Sequence, residues 1–137
     1  MPQTFSGSCV CQSLQYNLSL DSPDDARTSL CHCHSCRRAF GTNFGLTMKV
    51  PLESFDYTKG TPTKFRQDNG VVREFCKECA AYICEYGEQA VDKFRYIMWG
   101  TVDEADQFLP KGEFFCRDRV KWMPEIPGIF HKREVHT

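Results

Sequence analysis

Seven of the nine cysteines in this chain fall into three tight groups: Cys9 and Cys11 as CxC, Cys31, Cys33 and Cys36 as CxCxxC, and Cys76 and Cys79 as CxxC. Thiolates hold zinc at about 2.3 Å, so thiolates sharing one tetrahedral ion sit about 3.8 Å apart. A CxxC turn delivers that spacing naturally. Residues two apart on a flat strand are separated by about 6.6 Å, which places both CxC pairs at bends or bulges. The economical division joins Cys9, Cys11, Cys76 and Cys79 into a closed four-thiolate site and leaves Cys31, Cys33 and Cys36 as a second, three-ligand site. Closed zinc sites stabilise, whereas a position open to water or substrate does chemistry. The fourth ligand of the triplet stays open at this point: His32, His34, Cys84, Cys116, water and substrate all qualify. A disulfide or redox pair is the competing reading of the two doublets, but nine is an odd number and clustered thiols in a reducing compartment are more often metal ligands.

Three thiolates around Zn²⁺ leave a net charge of about −1, a weaker Lewis acid than zinc held by neutral histidines. A soft sulfur ligand suits such a site better than a water to be activated. One expectation is therefore a thiol bound through sulfur and aimed at an aldehyde, with His34 as proton carrier and Arg37 and Arg38 as a clamp for substrate carboxylates. Arginines after a loop are more often solvated or paired. Two rivals share the same residues: a Lewis-acid lyase or dehydratase acting on another carbonyl metabolite without a thiol, and a non-catalytic binding module with two structural zincs.

Short strands must position these groups. Apolar residues alternate at Leu14, Tyr16, Leu18 and Leu20, and β-rich stretches recur around Phe44 to Val50, Lys64 to Gln67, Val71 to Phe75, Tyr82 to Tyr86 and Phe94 to Trp99. Gly and Pro punctuate them at the intervals of turns in an antiparallel domain. Short helical turns are expected at Ser35 to Phe40 and at Asp103 to Leu109. The expectation is an all-β, small antiparallel zinc-binding domain over residues 1–130, followed by a polar tail over 131–137 in which His131 and His136 are solvated. Cys84 and Cys116 read most simply as core residues.

Seventeen Lys and Arg against eighteen Asp and Glu give a net charge of −1, which offers nucleic acid or an anionic membrane no general attraction. No apolar run approaches the roughly 20 residues of a membrane span, and MPQTFSGSC lacks the basic and apolar regions of a secretory leader. A soluble cytoplasmic protein acting on a small-molecule thiol or carbonyl compound is expected. Eighteen aromatic residues exceed what one small core easily buries, so some should line a pocket.

The segments GSCVCQSLQYNL, CHCHSCRRAFG and REFCKECAAYI, with WGTVDEADQFLP and RDRVKWM further on, resemble the glutathione-dependent formaldehyde-activating enzyme family, whose relatives include centromere protein V and the wider β-tent zinc proteins. The likeness covers roughly Phe5 to Met123. It implies a β-tent-like fold, structural zinc at Cys9, Cys11, Cys76 and Cys79, and catalytic zinc at Cys31, Cys33 and Cys36. It also implies a reversible carbon–sulfur lyase reaction joining formaldehyde to glutathione. Two departures stand out: Ala80 replaces the usual Gly after the CxxC, and His34 enters the catalytic loop.

Overall fold

The computed structural model describes residues 2–133. Strands β1 (Gln3–Ser8), β2 (Gln15–Leu20) and β3 (Arg27–Cys31) precede the helix α1 (His34–Phe40). Then follow β4 (Gly45–Pro51), β5 (Phe55–Lys59), β6 (Thr63–Arg66), β7 (Val72–Phe75), β8 (Tyr82–Tyr86), β9 (Phe94–Met98), β10 (Gly112–Phe114) and β11 (Phe130–His131). They form a three-stranded sheet, β1-β2-β5, and an eight-stranded sheet, β11-β10-β3-β4-β9-β8-β7-β6. The protein is mostly β-sheet, as its alternation and turn residues imply. Around Ala105–Gln107 only a single 3-10 turn forms.

Period-two alternation divides the large sheet into two chemically different faces. One cross-strand row runs Thr28, Met48, Ile97, Cys84, Glu74. All five are nearly sealed from solvent and, with Tyr16, Leu18 and Leu20 of β2, lie in the interior between the sheets. Burying side chains of this size contributes about 1.5–3 kcal/mol each. Glu74 is tolerated there because Tyr57 and Tyr86 hydroxyls donate to it at 2.8 and 2.6 Å, and the Cys84 thiol at 3.4 Å. The neighbouring row, one residue out of phase, runs Arg27, Lys49, Tyr96, Glu85, Arg73 and faces outward.

The sheet departs from the antiparallel expectation at one edge. Strand β10 runs parallel to both β3 and β11. A parallel partner must return over a long connection, so nothing local in the sequence marks this pairing. It also corrects the reading of His131 as a solvated tail residue. His131 sits in β11, donates from Nε2 to the Ile126 carbonyl at 2.8 Å and lies 3.2 Å from Glu113. His136 and the rest of the expected tail from residue 134 lie outside the described residues. Among the described residues no helix is long and apolar enough to cross a membrane.

Candidate metal centres and the cleft beside them

Both cysteine doublets sit at hairpin tips. Cys9 and Cys11 occupy the turn joining β1 to β2, closed by Cys9 N–H to the Leu14 carbonyl at 3.1 Å. Cys76 and Cys79 occupy the turn joining β7 to β8, closed by Cys76 N–H to the Ala81 carbonyl at 3.0 Å. Each turn contains one non-glycine residue in the left-handed region, Gln12 and Ala80, both at φ 64°. The Ala80 departure therefore keeps the turn and places a Cβ where glycine has none.

The two tips meet. The Sγ atoms of Cys9 and Cys11 are 3.7 Å apart, as are those of Cys11 and Cys76, and all four lie within 4.8 Å of one another. These separations match a tetrahedral thiolate set around zinc and are far longer than a disulfide bond. The Ser13 hydroxyl is 2.9 Å from the Cys11 sulfur and 3.2 Å from that of Cys76. It is the largest influence drawing Cys76 down to about 6, with the Cys79 backbone N–H assisting, so one thiolate is present at neutral pH. The residues fit a metal ion that would tie the small sheet to the large one.

The triplet is built on one strand-to-helix corner. Cys31 ends β3, Cys33 caps α1, accepting from Cys36 N–H at 3.4 Å, and Cys36 lies in the first helical turn. Gly41, at φ 69°, ends the helix and turns the chain toward β4. Cys31 and Cys33 sulfurs are 3.4 Å apart, and the three thiols lie within 4.8 Å of one another. A hydrogen bond from Cys36 lowers Cys31 to about 7 against the cost of burial, while Cys36 itself is pushed up by Cys31 and by burial. The set fits a metal held by three thiolates.

Among the described residues no fourth His, Cys, Asp or Glu joins this group. His32, although flanked by two of the cysteines, is fully buried with Nε2 2.6 Å from Glu113 Oε2. Arg119 Nε donates to the same carboxylate oxygen at 3.0 Å. Burial works against charge on Glu113, but Arg119, His32 and the Ile126 N–H outweigh it and hold the carboxyl below its ordinary range. Cys84 is on the interior face, with its thiol on Glu74, and the Cys116 thiol donates to the Glu113 carbonyl at 3.4 Å. His34, Arg37 and Arg38 are exposed and line a surface cleft with Thr42 that none of the cysteines lines.

Sequence reasoning missed a different set. A cleft of about 180 Å³ opens beside Cys31 and Cys36, walled by Thr47, Glu85, Tyr86 and Tyr96. Glu85 accepts from the Tyr82 hydroxyl at 2.7 Å and from Arg73 at 3.4 Å. Burial first, then the Glu85 charge, raises the Tyr96 hydroxyl pKa, so it stays protonated at neutral pH. Alternation within the expected strands could have placed Glu85 and Tyr96 on one face, but not beside Cys31.

Residues 4–118 match the family described as glutathione-dependent formaldehyde-activating enzyme. The chain belongs to that family. The matched span of this family member contains both cysteine sites and all of the cleft residues. A crystal structure of a Rhodobacter sphaeroides protein is similar in fold, with a TM-score of 0.57 at 18% identity, covering 72% of this chain and 88% of that one. No curated protein matches the chain.

Proposed function

We propose that this member of the family is a zinc-dependent carbon–sulfur lyase that joins or releases a thiol, glutathione or one like it, and an aldehyde at Cys31, Cys33 and Cys36. The observation that carries this reading is three thiols on one corner, at ligand spacing, with a cleft beside them and no fourth protein donor among the described residues. Zinc bound there would supply a position for a substrate sulfur and lower the pKa of that thiol.

The chain's own residues then have defined tasks. Cys31, already drawn to about 7, reaches the thiolate state without a strong base. The cleft walled by Thr47, Glu85, Tyr86 and Tyr96 would receive the aldehyde beside Cys31 and Cys36. In the forward direction the substrate sulfur forms a bond to the aldehyde carbon, the carbonyl electron pair moves to oxygen, and that oxygen takes up a proton. The net change is addition of S–H across C=O, with no oxidant. Tyr96, kept protonated, is the donor in the cleft for that oxygen, and Glu85 on β8, opposite Tyr96 by register, is the carboxylate that shares the cleft with it. His34, one residue past Cys33, is the second candidate carrier, and Arg37 and Arg38 are candidate carboxylate clamps on the outer side of α1. Cys9, Cys11, Cys76 and Cys79 would hold the structural zinc.

Zinc content per chain and zinc-edge X-ray absorption before and after glutathione test the metal part. Two ions whose averaged shell gains sulfur are expected. Exchange spectroscopy of formaldehyde with glutathione tests the reaction. The wild type should accelerate adduct formation, and Cys33→Ser should return it to the spontaneous rate while keeping the β-sheet circular dichroism. Acceleration retained by Cys33→Ser overturns the reading, and turnover of a carbonyl compound with no thiol present assigns the cleft to a different lyase.

A further inference from the structure

The cleft at the cysteines does not end at Tyr96. Across β3, β4 and β9, Arg27 lies opposite Lys49 and Lys49 opposite Tyr96, so the three side chains stand side by side on one face. Cys31 is four residues along β3 from Arg27 and shares that face, about 13 Å away. Over this row opens a second cavity of about 340 Å³, lined by Arg27, Lys49, Tyr96, Lys111, Phe130 and Lys132 among others. Tyr96 is a wall of both cavities.

Four cations converge here from β3, β4, the approach to β10 and the end of β11. Lys111 is paired with Asp24. Arg27, Lys49 and Lys132 make no ion pair among the described residues. The half-buried Lys49 ammonium lies 4.0 Å from the Phe94 ring centroid and 6.0 Å from that of Tyr96. Burial and the Arg27 charge both act against its protonated form. Ring faces compensate a cation less than a carboxylate at hydrogen-bond distance does. Three cations with no carboxylate partner among the described residues surround one concavity and give it a local positive potential that favours an anion.

We infer that the groove bounded by Arg27, Lys49 and Lys132 binds the anionic arm, a carboxylate or a phosphate, of the substrate that reacts at Cys31, Cys33 and Cys36. The sulfur end of this inference rests on the proposed function; the anion end does not. Arg27 and Cys31 stand about 13 Å apart along β3, a span of about four extended residues. Short, peptide-like thiols with terminal carboxylates satisfy this length. Neutral thiols of the mercaptoethanol type leave the groove unfilled and should be poor substrates.

The test separates the two ends by using probes without a free thiol. Zinc-loaded, ¹⁵N-labelled protein is titrated with S-methylglutathione, with its diethyl ester, and with inorganic phosphate, following the amide signals of Arg27, Lys49, Tyr96 and Lys132. At least one charged probe should move these signals saturably. Lys49→Gln with Lys132→Gln should weaken its binding at least tenfold, and Lys132→Gln alone should weaken it by a smaller factor. A response to S-methylglutathione that the ester loses tenfold or more identifies a carboxylate arm; a response to phosphate alone identifies a phosphorylated one. No response to either charged probe overturns the inference, as does equal binding by the double variant with an unchanged spectrum elsewhere. Anion binding in a protein that accelerates no thiol–aldehyde reaction sinks the proposed function alone; full turnover with no anion binding sinks this inference alone.

Discussion

Ala80→Gly should stabilise the protein although it deletes a methyl group. Ala80 is exposed, so the methyl buries little. Its φ of 64° puts Cβ against the backbone, a cost of about 1–2 kcal/mol for an L-residue. Its N–H must nevertheless stay where it is, donating to the Cys76 carbonyl at 2.7 Å, because that bond shapes the turn presenting Cys76 and Cys79. Glycine removes the strain but gains about 0.4–1 kcal/mol of unfolded-chain entropy. The net is about 0.5–1 kcal/mol in favour of glycine, or roughly 2–4 °C in Tm for a chain of this size. Differential scanning calorimetry at saturating zinc measures it, with urea unfolding as a check on reversibility. A β-branched residue is worse than alanine in this conformation, so Ala80→Val should lower Tm. An unchanged or lower Tm for Ala80→Gly would refute the argument, since it would mean that the turn does not hold the left-handed conformation in solution.

Gly60 has φ 81°, and a Cβ there would lie 2.2 Å from the Ser13 carbonyl oxygen, so Gly60→Ala should displace the Ser13 turn and release zinc from the four-cysteine site faster to a chelator, with stability lowered by about 1–3 kcal/mol. Cys76→Ser should lower the zinc content by one ion per chain and lower Tm in a zinc-dependent way; loss of neither would remove the doublets from the metal centre. Glu113→Ala strands Arg119 and His32 without their carboxylate and should cost about 3–5 kcal/mol in urea unfolding at pH 7. The Glu113 pKa is depressed in the folded state, so its charge stabilises above the ordinary carboxylate range and that contribution fades as pH falls below 4.5. The stability gap between wild type and Glu113→Gln should therefore hold from pH 7 to about 5 and shrink under more acid conditions; a gap that grows on acidification contradicts the sign.

Spacing alone made the cysteine groups legible, because CxxC and CxCxxC are local and chemically specific. The fold class was legible for a similar reason. Tyr16, Leu18 and Leu20 alternate, and the tips of β1/β2 and β7/β8 carry turn geometry within a few residues of the ligands. What was hidden depends on pairing between distant strands. Strands β1, β3 and β5 read QTFSGS, RTSLC and FDYTK, too polar to stand out by composition. Glu85 and Tyr96 lie inside expected strands, but only the β8–β9 register puts them together, and only the order of the large sheet brings them near Cys31. The basic groove is the clearest case. Net charge averages over the whole surface, and Arg27, Lys49, Lys111 and Lys132 are at least 21 positions apart in sequence, so no run of cations announces them. Ala80 was legible as a departure, and its backbone cost was not.

The parallel pairing of β10 with β3 bears on how the protein is made. The corner bearing Cys31, Cys33 and Cys36 is held from behind by His32, whose backbone N–H donates to the Phe114 carbonyl and whose ring meets Glu113. Glu113 follows Cys36 by 77 residues. At about 5–20 residues per second, the ribosome leaves the three thiols without that backing for on the order of 4–15 s. During that interval they are open to oxidants and to whatever metal is free. Metal captured during that interval would shield the three thiols before Glu113 arrives to back the corner.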